Sequence, residues 1–318
     1  MDNVILEKFK SKRKLWIRCL SGEDRNAIFK QIYEMVWNAA VFKVINESRG
    51  IISLNAKGQR EVNGMLHHFI DECFFDSQFL AIRRLTDTAY ELRHSKKGIF
   101  SLISLLKDMK NNVSLMTREN LFAVEGLEYD YKTISNKQLE YGLEQSKIGK
   151  KAFFVPRNLD SELVKLRHEE IDELCGVSAD QRTSSDVIRV EIFDYLMKRI
   201  EDTSANIKLY VTKYIAHSAT PDSREYDKAG EALITLGHLW DTHKVICQVA
   251  NFVDGCMISR SGHSFLPVPQ FNHFEFIDKP LVSSSNIKVL DEAWGKFQKE
   301  ADSWGSWCLK DFALEFKK

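Results

Sequence analysis

The chain has 318 residues, and its 45 Lys and Arg balance 45 Asp and Glu to a formal net charge of zero. That excludes a bulk electrostatic grip on nucleic acid, which needs excess cationic charge, and leaves only a local patch. Hydrophobic content of 44% supplies a sizeable core, and with only five prolines and 15 glycines the chain suits long helices better than a turn-rich β fold.

In chain order, Met1 to Leu20 reads as a basic, loosely amphipathic arm. Ser21-Gly22-Glu23-Asp24 resembles a helix start, and Ile28, Ile32, Met35, Val36, Ala39, Ala40 and Val44 recur at helical spacing to about Glu47. After a break near Gly50 to Gly58, the longest helix is expected from about Gln59 to Arg93, with Gly98 as its C-terminal punctuation. Shorter helices fit Phe100 to Lys110 and Thr117 to Val124. Glu125 to Asn158 reads as irregular around one helix, and Leu159 to Leu174 returns to helical spacing. Ser184-Ser185-Asp186 looks like the cap of a helix from Val187 to Ile200.

A separate helix is expected from about Ser204. On it Ile207, Tyr210, Val211, Tyr214 and Ile215 share one face, and Pro221 stops it. Tyr226 to Asn251 gives a further long helix. Gly262, Pro267, Pro269 and Pro280 then break up Phe265, Phe271, Phe274 and Phe276, as in a loop or small hairpin. A last helix spans about Ser284 to Leu309 and carries Trp294, Trp304 and Trp307. The fold class that follows is all-α: an antiparallel helical bundle over residues 1–225, with a C-terminal helical extension over 226–318 packed on the same core.

Six cysteines (Cys19, Cys73, Cys175, Cys247, Cys256, Cys308) form no C-x-x-C pair and lie mostly in apolar stretches, as reduced cytoplasmic thiols do. Residues 1–18 lack the apolar run of a secretory signal, and no run approaches 18 apolar residues, so no membrane association is expected.

Several constellations carry candidate chemistry. Lys213 and His217 are four residues apart, hence neighbours on one helix flank, with Tyr210 one turn earlier. They present a titratable imidazole and a fixed cation together at a helix end. The same two residues equally suit a helix terminus with no further role, since both gain from the negative end of the dipole. Arg83-Arg84 interrupts an apolar helix stripe close to Asp87, and two guanidiniums there need a carboxylate or a phosphate as partner. His67 with Asp71 and His68 with Glu72 are i,i+4 pairs that suit local ion pairs or half of a metal site. Glu91-x-x-His94 has the spacing of a di-iron ligand pair but no second copy. Arg167-His168-Glu169-Glu170 reads as a solvated charged face. No phosphate-binding glycine loop, H-E-x-x-H or G-x-S-x-G motif occurs.

Two stretches, FLAIRRLTDTAYELRHSKKGIFSLISLLKDM (Phe79 to Met109) and IKLYVTKYIAHSATPDSR (Ile207 to Arg224), resemble the HEPN superfamily of helical domains, in particular its AbiU-type abortive-infection branch. The resemblance implies a metal-independent endoribonuclease with no cofactor, of a bacterial phage-defence or toxin type. It further implies a cytoplasmic homodimer with RNA as its target and a neutralising partner protein. His217 and Lys213 would then be catalytic, Arg83, Arg84 and Lys208 would bind RNA phosphate, and Asp87 and Tyr210 would support them. The family's Arg, separated from its His by four to six intervening residues, is missing: Tyr210, Val211 and Thr212 occupy those positions. Members that lost the motif serve as binding modules. The alternative is therefore a catalytically silent helical interaction module, and a third reading is a carboxylate-histidine metal protein using Glu91, His94, His67 and Asp71.

Overall fold

A computed structural model describes residues 3–58, 62–88, 92, 98–149, 155–216, 219–226, 234–258, 264–266 and 268–304. These residues form an all-α helical bundle with eleven α-helices and no strand; an isolated antiparallel bridge joins Thr117 and Val187. The chain divides into two compact units, residues 1–267 and 268–318. The boundary read from the sequence lies at 225/226.

The first unit opens with α1 (Asn3–Ser21), which is not an arm. Phe9, Trp16, Cys19 and Leu20 repeat at helical spacing and are fully buried. The Trp16 indole donates to Asp108 Oδ2 at 2.7 Å, and Lys12 reaches the same carboxylate at 2.8 Å. The basic residues that suggested an arm are thus the solvent side of a core helix. Helix α2 (Ile28–Ile51) starts later than Ser21-Asp24 because Asp24 Oδ1 accepts from Asn26 N, forming a turn instead of a helix cap.

Asn63 caps α3 (Gly64–Leu85) by accepting from Leu66 N. The helix pairs antiparallel with α2: Phe42 stacks on Phe74 with centroids 3.7 Å apart, and Arg49 meets His67 and Asp71. It ends at Leu85, short of Arg93. Asp87 N turns back to the Arg84 carbonyl at 3.4 Å, and the Asp87 carbonyl accepts from Ser101 Oγ at 2.7 Å, while the buried Thr86 hydroxyl adds a second donor to the Ile82 carbonyl.

Helices α4 (Leu102–Asn111), α5 (Arg118–Glu125), α6 (Tyr131–Lys147) and α7 (Ser161–Cys175) follow, capped by Ser101, Thr117, Asp130 and Asp160. Gly126 and Gly176 end α5 and α7 in the left-handed conformation. The expected cap at Ser184-Asp186 has another use. Its backbone accepts from Arg118 N and Glu119 N, and Arg189 N donates to Leu174 O, which holds this stretch extended.

As a result α8 begins at Val190 and runs unbroken to Tyr210, merging the two helices expected there. It widens into a π segment (Val211–Ala216) and is followed by the short α9 (Pro221–Tyr226). Helix α10 (Leu236–Phe252) starts ten residues later than expected, at a capping box between Thr235 and His238, and ends in a second π segment (Val253–Met257). It packs on α8 and α2, within the first unit.

In the second unit, residues 268–282 form successive turns, and α11 (Ile287–Trp304) follows a 3-10 turn at Ser284–Asn286. Ile287, Leu290, Trp294, Phe297 and Trp304 share one face of α11.

Candidate functional site

The two stretches that carry the family resemblance pack against each other, because α3 contacts both α8 and the π segment that extends it. Their relative direction follows from three contacts. Thr242 Oγ1 on α10 donates to the Thr203 carbonyl on α8 at 2.8 Å, Phe74 lies 6.2 Å from Trp240, and Phe79 meets Tyr210 edge-on at 5.4 Å. Arg199 also reaches Gln248, so α10 runs opposite to α8. The step from Phe74 to Phe79 therefore matches the climb of α8 to Tyr210. Helices α3 and α8 run the same way, and the last turn of α3 shares one end of the bundle with the π segment.

At that end Tyr210 stacks on Tyr214 at 4.7 Å, and the Arg224 guanidinium of α9 lies 5.1 Å from the Tyr214 ring centroid. Such a cation–π contact is worth ~0.5–1 kcal/mol when exposed. Lys213 donates to Ser223 Oγ at 2.8 Å and to the Ser223 carbonyl at 3.2 Å, while Ala219 N donates to the Lys213 carbonyl. These bonds fold the chain back after the π segment. The Thr212 hydroxyl donates to the Lys208 carbonyl at 2.9 Å, competing with the backbone ladder where the helix widens.

The remaining expected residues divide into three groups. Arg83 forms a long ion pair with Asp87, Nη1 to Oδ1 at 3.5 Å, so the carboxylate on the next turn is one partner of its guanidinium. Arg84 is exposed, and its side chain makes no hydrogen bond or ion pair among the described residues. Lys208 is ion-paired with Glu201, two turns back along α8. The π segment ends at Ala216, and His217 lies outside the described residues, as do Glu91 and His94. Tyr210, Lys213, Arg83 and Asp87 thus belong to one end of the bundle, while Lys208 is neutralised on the flank of α8.

Arg224 was not among the expected site residues. A search for an Arg ahead of His217 cannot find it, because it follows that position by seven residues on a separate short helix. A cavity of about 410 Å³ was equally invisible; Asp24, Asn26, Gln31, Arg84, Asp87 and Phe100 line it.

The charged run on α7 is a correction. Arg167 and His168 are 5% and 3% exposed, whereas Leu166 beside them is 55% exposed. Arg167 binds both Glu125 oxygens, from 2.9 Å, and His168 packs 4.4 Å from the Phe122 ring. Arg167 turns inward because Glu125 on α5 meets it there, and His168 faces the Tyr129 carbonyl and the Arg118 guanidinium, while Glu169 and Glu170 stay exposed as the charged-face reading expects. Burial holds the His168 imidazole below its ordinary range, opposed by the hydrogen bond with the Tyr129 carbonyl.

The His68–Glu72 pair is local, whereas His67 and Asp71 both meet Arg49 of α2 instead of each other. Arg49 Nε donates to His67 Nδ1 at 2.9 Å and Nη2 meets Asp71 at 2.8 Å, while His68 meets Glu72 at 3.2 Å. Among the described residues no three His, Cys, Asp or Glu side chains converge as a metal site requires. No described helix is long and apolar enough to cross a membrane. Comparison with family models, curated proteins and solved structures finds no match to this chain.

Proposed function

We propose that this chain is a HEPN-like, metal-independent endoribonuclease of the phage-defence or toxin type, acting in the cytoplasm as a homodimer. The observation that carries the reading is the packing of α3 against the π segment. It brings the last turn of α3, which carries Arg83 and leads to Asp87, to the same end of the bundle as Tyr210 and the π segment. Widened helical turns recur at functional sites because they re-aim the side chains that follow.

Cleavage of RNA without a metal needs a base for the 2′-hydroxyl, an acid for the leaving 5′-oxygen and a cation for the phosphorane. His217 supplies one proton transfer near neutral pH, and His217 of a second copy supplies the other. The cationic share falls to Arg83 and Arg224, since the Lys213 ammonium holds Ser223. The products would be a 2′,3′-cyclic phosphate and a 5′-hydroxyl.

Purified protein incubated with RNA in EDTA is expected to cut it, and His217→Ala is expected to lower the rate at least ~100-fold. Equal cutting by the variant would remove His217 from the site.

A second reading, a silent interaction module, draws on the engaged cations: Lys208 pairs with Glu201, Arg83 with Asp87, and Lys213 holds Ser223. Intact RNA after incubation with the unmodified protein favours that reading.

A further inference from the structure

The cavity at the end of α3 has a lining whose signs narrow its occupant. Among the described residues Arg84 contributes a guanidinium, Asp24 and Asp87 contribute carboxylates, and Asn26, Gln31, Gly98, Ile99 and Phe100 also line the wall. A volume of about 410 Å³ is in the range of small-ligand sites. An anion there would be repelled by two carboxylates, and a cation by the guanidinium. A neutral, planar molecule that carries adjacent donors and acceptors suits both.

The polar groups are also left ready for a ligand. The Arg84 side chain makes no hydrogen bond or ion pair among the described residues, and Asp24 makes no ion pair there, its Oδ1 accepting from Asn26 N. Gln31 is 7% exposed; its Nε2 donates to the Asn26 and Phe100 carbonyls, and its Oε1 has no hydrogen-bond partner among the described residues. A half-buried Phe100 ring offers an apolar wall for stacking.

Among nucleobases, guanine alone sets two neighbouring N–H donors, N1 and N2, beside the O6 and N7 acceptors. A carboxylate matches the first pair and an arginine fork the second. We propose that this cavity holds a guanine base of RNA, which rests on the reading of the chain as an RNA-acting protein. Asp87 both lines the cavity and pairs with Arg83, so the base would sit beside the end of the bundle where cleavage is assigned. In this arrangement Arg84 reads a base edge rather than a phosphate.

The test is calorimetric titration of the full chain with GMP, AMP, CMP and UMP, together with mapping of cut sites on RNA. GMP is expected to bind roughly tenfold or more tightly than the other three. Arg84→Ala and Asp24→Asn, both at exposed positions, are expected to remove that preference with the circular dichroism spectrum unchanged. Equal binding of all four nucleotides, binding of none, or full selectivity in Arg84→Ala would overturn the assignment. GMP selectivity without RNA cleavage keeps the cavity assignment and sinks the nuclease reading. Cleavage without nucleotide selectivity does the reverse.

Discussion

Arg118 has none of its side chain exposed, yet every part of its guanidinium is answered. Nε donates to Asp186 at 2.9 Å, Nη2 to Asp172 at 2.8 Å, and Nη1 to the His168 carbonyl at 3.2 Å. Arg182 takes the other side of Asp172, so two cations and two carboxylates close the network. Burial pushes the Asp172 carboxyl up, but hydrogen bonds from Arg182 and Arg118 outweigh it and hold the group below the usual carboxylate range. His243 is the opposite case. It is 6% exposed on α10, its Nε2 has no hydrogen-bond partner among the described residues, and burial pushes its imidazole down to about 4. Between pH 6.5 and about 4 the unfolded chain binds a proton that the folded chain refuses. The stability contribution is therefore whole above 6.5 and declines as the pH falls towards 4, by up to ~3 kcal/mol. Urea midpoints measured at pH 7 and pH 4.5 should fall further for the native chain than for His243→Leu. A parallel decline in both would show that another group is responsible.

At the scale of elements, the periodicity of apolar residues was a reliable guide wherever one face met the core. Ile28, Ile32, Met35 and Ala39 on α2 are all buried as their spacing requires. Boundaries were less legible, because side chains such as Thr86 and Asp186 take backbone groups or partners distant in sequence. The π segment at Val211–Ala216 also has no signature in the spacing, since its apolar residues fit an ordinary helix equally well. Its consequence is testable. Deleting Thr212 would let the segment close to an α-helical ladder, removing the widened turn that carries Lys213 while later side chains keep their register. The deletion is expected to keep the melting temperature within a few degrees while abolishing RNA cleavage. Undiminished cleavage would make the widened turn incidental to the chemistry.

For the whole molecule, the core belongs to the first unit: the buried apolar residues run from Leu6 to Ile258. Residues 268–304 contribute none of them, although α11 has a strongly apolar face. A chain ending at residue 267 is accordingly expected to fold with the helical signal per residue and thermal midpoint of the full protein. A non-cooperative melt would place part of the stabilising core beyond that point. The amino-acid order alone determined the all-helical class and most of the helix inventory, because apolar periodicity and local breakers act over a few residues. Tertiary packing alone decided that Arg167 and His168 face inward, that α3 meets the π segment, and that Arg84, Asp24 and Gln31 line one cavity. Those outcomes depend on partners tens to hundreds of residues away, whose identity no local spacing encodes.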